Sequence, residues 1–162
     1  MEGVREEKEP SVLHEDNDVL IINKPYGWLT HEDGHSDTQT VVEWFVARTP
    51  EAKGVGEPGF AKDGTELERS GIVHRLDRET SGILVLAKNQ EAYEKLKLQF
   101  QDRKVKKEYR AFVYGRLNDR WGTINRPIGR SAKDSRRRSA ERGAKGLLRD
   151  AITDFERIGM GE

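Results

Sequence analysis

Two apolar segments, at 71–73 and 82–87, enclose a knot of charge in the run "GIVHRLDRETSGILVLA". The chain of 162 residues is 36% charged and only 34% hydrophobic, so a core must be built from such short apolar runs. The pattern predicts a strand, a loop and a second strand. A plain turn needs Gly, Asn or Asp, not His74, Arg75, Asp77, Arg78 and Glu79 side by side. The loop is therefore a candidate site, with Asp77 at its centre. "VLIIN" at 19–23 predicts another buried strand, stopped by Lys24-Pro25-Tyr26-Gly27.

Other elements follow from spacing. Val41, Val42, Trp44, Phe45 and Val46 predict a short helix over 40–48, ended by Pro50. Residues 49–70, rich in Gly, Glu and Lys, read as a long surface loop. Asn89 is suited to cap a helix running to about Asp102, with Ala92, Tyr93, Leu96 and Phe100 at helical spacing. "KEYRAFVYGRL" at 107–117 alternates as a strand should. Residues 126–149 read as an arginine-rich excursion. A final strand is expected over 151–158, with one face buried. Residues 1–10 are expected to be a flexible tail, and the length of the remainder, 11–162, fits one domain.

No apolar run approaches the roughly 20 residues needed to span a bilayer, and the acidic N-terminus does not resemble a signal peptide. The absence of cysteine excludes disulfides, thiol nucleophiles and cysteine metal sites, and suits a reducing cytoplasm. A net charge of zero conceals polarity along the chain. Residues 1–70 hold 7 Lys/Arg against 16 Asp/Glu, and residues 103–149 hold 16 against 4. So large a basic excess favours a polyanion, because each phosphate contact releases counterions. Tyr109, Phe112, Tyr114 and Trp121 interleave with these cations and offer faces on which bases can stack. Nucleic acid is the expected partner.

"HEDGH" at 31–35 fits the zinc-protease pattern H-E-x-x-H, but Asp33-Gly34 is a turn signal and the chemistry needs a helix. "GVGEPG" at 54–59 fits a dinucleotide fingerprint, yet no strand precedes it and Pro58 lies inside it. A hydrolase triad of His74, Asp77 and Ser81 would need a nucleophile elbow and an oxyanion hole, and neither signature is present. Asp77 keeps two readings: a carboxylate pinned by Arg75 or Arg78, or an ionised nucleophile flanked by cations.

"HRLDRETSG" at 74–82 resembles the H-R-L-D-x-x-T-S-G hallmark of the RluA family of RNA pseudouridine synthases. "INKPYGWLTH" at 22–31 is similar to the family's N-K-P-x-G segment, "KKEYRAFV" at 106–113 to its K-x-Y-x-A strand, and "INRPIGR" at 124–130 to its P-I-G-R segment. The resemblance implies an α+β fold, a mostly antiparallel mixed β-sheet with flanking helices. It also implies an isomerase acting on ribosomal or transfer RNA without a cofactor or metal, expected as a cytoplasmic monomer. Asp77 would be the nucleophile, Tyr109 would lie against the uracil and help move the C5 proton, and Arg75 would fill the place of the flipped nucleotide. Arg78, Lys107, Arg130, Arg136, Arg137 and Arg138 would contact the RNA. Neither an S4-type RNA-binding domain nor the family's later G-R-T-H-Q-I-R motif is seen. A catalytically weak, loosely packed RNA-binding fragment is the alternative expectation, with the last strand short of partners.

Overall fold

In the computed structural model, which describes residues 9–32, 38–60, 64–134, 137–140 and 143–160, the apolar run at 19–23 is central to a three-stranded sheet. The elements of the first part are β1 (Ser11–Glu15), β2 (Val19–Lys24), α1 (Val41–Arg48), β3 (Gly59–Phe60), β4 (Glu66–Leu67), β5 (Gly82–Ala87) and α2 (Gln90–Gln101). Those of the second are β6 (Trp121–Asn125), β7 (Ile128–Ser131), β8 (Arg138–Ala140), β9 (Ala144–Arg149) and β10 (Ile152–Glu156). The chain divides into two compact units, Met1–Glu108 and Tyr109–Glu162. Among the described residues the strands all pair antiparallel, beside one isolated parallel bridge between Leu29 and Thr40, and the class is α+β.

In the first unit the order is β1-β2-β5, with β2 and β5 in unbroken register from Val19↔Ala87 to Lys24↔Gly82. Period-two alternation sends Leu20, Ile22 and Lys24 of β2 into the interior. Leu84 and Leu86 of β5 join Leu20 and Ile22, and α1 closes this core with Val41 and Phe45. That helix starts where the sequence allows: Thr40 accepts from the Glu43 amide while the Glu43 carboxylate accepts from the Thr40 amide, a reciprocal cap. Asn89 caps α2 by accepting from the Ala92 amide at 2.9 Å, and Ala92 and Tyr93 pack on Ala87.

Gly71 fixes the entry to the charged loop. Its φ is +70°, and a Cβ there would strike the Ala87 carbonyl oxygen and lie 2.7 Å from the Phe45 ring. The same residue donates to Val55 O and accepts from the Ala87 amide. Gly71→Ala is expected to cost at least about 2 kcal/mol, from left-handed strain plus overpacking. Denaturant unfolding checks this, and an unchanged midpoint would contradict the tight fit.

Several expectations need correction. Residues 49–70 hold a short 3₁₀ turn at Pro50–Ala52 and the β3–β4 hairpin, with Ala52, Leu67 and Ser70 buried. Ile72 contributes only an isolated bridge to Leu86, not a strand. β1 was not anticipated. The segment 107–117 forms no strand, because no neighbouring strand among the described residues supplies a ladder for its amides and carbonyls. The basic stretch 126–149 is a three-stranded sheet, ordered β8-β7-β9, rather than an excursion. β10 does have a partner: it pairs with β6 from Ile152↔Asn125 to Glu156↔Trp121. It buries no single apolar face, since Ile152 and Phe155 are three apart and so point oppositely. Ile152 is exposed, while Phe155 is half-buried over Gly122. Most of the expected tail, together with His35 and Arg136, lies outside the described residues.

Candidate active site

Residues 74–81 span the gap between the core and β5, and the chain alternates sharply there. Leu76 is buried in the core, while Arg75 and Asp77 on either side are exposed. The turn that follows β2, residues 25–31, grips this loop on both sides of Asp77. Thr30 Oγ1, itself buried, donates to Leu76 O at 2.8 Å. The Gly27 amide donates to Arg78 O at 2.8 Å, and Arg78 Nε returns a bond to Gly27 O at 3.2 Å. Asp77 O accepts from the Thr80 amide at 3.0 Å, closing a tight turn. The carbonyls of residues 76, 77 and 78 are thus all engaged, and the Asp77 side chain projects from a backbone fixed on each flank.

Beneath this loop lies Lys24, fully buried at the end of β2. Its Nζ donates to Trp28 O at 2.9 Å, Pro25 O at 3.1 Å and Arg78 O at 3.4 Å. Burial lowers its pKa from the ordinary lysine value, and the negative charge of Asp77 opposes that shift. The sequence reading places Lys24 at a strand stop and in the N-K-P-x-G-like segment, and does not anticipate its burial beneath the Asp77 loop. The signal was the buried alternation 20, 22, 24, which places the lysine on the inner face.

The two arginines flanking Asp77 are turned to other partners. Arg75 Nη1 lies 3.1 Å from His31 Nε2, and His31 Nδ1 lies 2.9 Å from Glu32 O. A guanidinium can only donate, so His31 Nε2 accepts and its Nδ1–H faces the Glu32 carbonyl. Arg78 is occupied with Gly27. Among the described residues the Asp77 carboxylate has neither an ion pair nor a hydrogen bond, so it is not pinned by either arginine.

His74 anchors the loop from the opposite side: Nε2 accepts from the Val85 amide at 3.0 Å, and its ring stacks on Phe100 with centroids 4.5 Å apart. Burial, aided by the Lys107 charge, lowers its pKa to about 4 from 6.5. Between these values the unfolded chain binds the extra proton, so stability falls as pH drops from about 6.5 towards 4 and is fully present above 6.5. Unfolding midpoints measured over that window are expected to fall for the wild type. His74→Gln is expected to remove this share of the slope, and parallel curves would contradict it.

The remaining sequence-derived residues are distributed between the units. Lys107 lies over the Phe100 ring at 5.9 Å in the first unit. Tyr109 is the first residue of the second unit and is 62% exposed. Arg130 and Arg138 are opposed across β7 and β8, whereas Arg137 reaches Asp134 at 3.6 Å. No group of three metal-ligating side chains is found among the described residues, and no helix among them is long and apolar enough to cross a membrane.

The family model for RNA pseudouridylate synthase matches residues 18–159. The chain belongs to that family and is of the RluA type. It is similar to the uncharacterized RNA pseudouridine synthase YlyB of Bacillus subtilis, 36% identical over 89% of this chain and 43% of the relative. Ribosomal large subunit pseudouridine synthase D of Pseudomonas aeruginosa is 37% identical over 80% of this chain and 36% of its own length. Among solved structures, human RNA pseudouridylate synthase domain containing 1 superposes with a TM-score of 0.63 at 25% identity, covering 95% of this chain and 54% of the human chain. The chain spans less than half the length of these two curated relatives.

Proposed function

We propose that this chain converts uridine in RNA to pseudouridine, with Asp77 as the nucleophile. In that reaction the C1′–N1 bond breaks, the uracil turns, and a C1′–C5 bond forms. The C5 proton leaves and N1 gains one, so the product is an isomer and nothing is oxidised, reduced or hydrolysed. The chemistry therefore asks for no cofactor. Asp77 suits the role because its carboxylate is exposed and unpaired on a backbone fixed at residues 76, 77 and 78, which is the observation that carries the reading.

A target base must first leave its stack, at a cost of a few kcal/mol. Arg75, exposed and held by His31, is read as the side chain that takes the vacated place, since a guanidinium plane both stacks and hydrogen-bonds. Tyr109 is read as the ring against the flipped uracil and as the carrier of the C5 proton. Arg78, Lys107 and the cations of the second unit are read as RNA contacts. The relatives named for the large ribosomal subunit favour ribosomal RNA over transfer RNA. A monomer working in the cytoplasm is part of the same reading.

Pseudouridines mapped by position in ribosomal and transfer RNA after incubation with the protein test this directly. New sites in one RNA class support the proposal. Unchanged maps in both overturn it.

A further inference from the structure

Of residues 24–31 only Tyr26 is exposed, at 68%. A lone exposed aromatic ordinarily asks for no explanation. The backbone under this one, however, is fixed on both sides. Before it, the Pro25 carbonyl accepts from the buried Lys24 Nζ at 3.1 Å. After it, Gly27 turns the chain at φ +86° and exchanges two hydrogen bonds with Arg78. The turn therefore holds the ring out in solvent one residue from its contact with the Asp77 loop. A ring on so fixed a backbone has little freedom left to lose when a flat partner stacks on it.

Arg78, also exposed, supplies a second group beside the first. Its Nε is engaged with Gly27 O at 3.2 Å, which ties the guanidinium to the same turn. Its two Nη groups have no hydrogen-bond partner among the described residues, and their paired N–H donors match the oxygens of a phosphate. Asp77 and Glu79, exposed on either side of Arg78 in the chain, weaken its hold on a phosphate alone. An aromatic face and an outward guanidinium, joined through Gly27, can take the base and the phosphate of one nucleotide together. We infer that Tyr26 and Arg78 clamp a nucleotide of the RNA strand beside the target uridine, its base stacked on the Tyr26 ring and its phosphate on the Arg78 Nη groups. The inference rests on RNA being the substrate in the reading above.

The test uses a fluorescein-labelled 20-nucleotide oligouridylate and measures affinity from 50 to 300 mM salt. Tyr26→Ala is expected to bind about fivefold or more weakly with an unchanged logarithmic salt slope, because a stacked base releases no counterion. Tyr26→Phe keeps the ring and should stay within about twofold of wild type. Arg78→Gln should lower the slope by about 0.7, the value of one single-strand phosphate contact, whereas Arg78→Lys should keep it. Wild-type affinity in Tyr26→Ala, equal losses in Tyr26→Phe and Tyr26→Ala, or a wild-type slope in Arg78→Gln would each overturn the clamp. Thermal midpoints of both Tyr26 variants should match wild type, since the ring is exposed. A midpoint that falls with the affinity would make Tyr26 a structural residue and overturn the clamp as well. Oligouridylate binding is read without any isomerisation. A protein that shows these losses but forms no pseudouridine fails only the catalytic reading. One that forms pseudouridine while Tyr26→Ala and Arg78→Gln bind normally fails only the clamp.

Discussion

Asp77→Asn is expected to reduce isomerisation by about 10,000-fold or more while RNA affinity stays within a few-fold of wild type. The amide keeps the size and shape of the carboxylate and loses its nucleophilicity. The loop has no reason to rearrange, because its hydrogen bonds run through the backbone of residues 76–78 and not through the Asp77 side chain. The two quantities therefore separate. Single-turnover isomerisation and equilibrium binding, measured on the same RNA, check the split. Substantial turnover by the variant would remove Asp77 from its role, and loss of binding in parallel would make it a structural residue.

Lys24→Met carries the second large effect. Methionine nearly matches the volume of the fully buried Lys24 but offers no donor, so the buried Pro25 carbonyl and the part-buried Trp28 carbonyl lose their bonds from Nζ. Arg78 O keeps its bond from the Gly27 amide. Each unsatisfied carbonyl costs about 1–3 kcal/mol, and relief from burying the ammonium offsets part of the sum, leaving a net loss of about 2–4 kcal/mol. The turn at 25–31 holds the Asp77 loop, so activity should fall with stability. Urea unfolding and isomerisation rates check both. A Met variant as stable as wild type would show that the carbonyls are satisfied in another way.

Much of the first unit was legible because its signals are local. The apolar residues at 41–46 ahead of Pro50, and Asn89 at the start of the next helical pattern, mark the two helices whatever the rest of the chain does. The runs at 19–23 and 82–87 are apolar enough to mark strands of the core, and alternation then buries Leu20, Ile22, Leu84 and Leu86 while leaving Ile83 exposed. The second unit was read poorly for the opposite reason. Apart from Ile128, Leu147 and Leu148, β7, β8 and β9 are built from Arg, Gly, Ser, Ala and Lys, residues with little preference for strands, so pairing more than composition defines them. Conversely, 107–117 alternates convincingly but has no ladder among the described residues. At the site, Asp77 stood out through its crowded neighbours. Lys24 did not, because a lysine at a strand end looks like solvated punctuation until its partner strand shows which way it points.

The central claim is that uracil is detached and rejoined, not released. RNA labelled with tritium at C5 of uridine tests it most directly, by following tritium in water and free uracil together. The expected result is tritium release matched one for one by pseudouridine, with no free uracil and with both signals at the blank for Asp77→Asn. Free uracil beside an abasic ribose, or tritium release that survives Asp77→Asn, would contradict it.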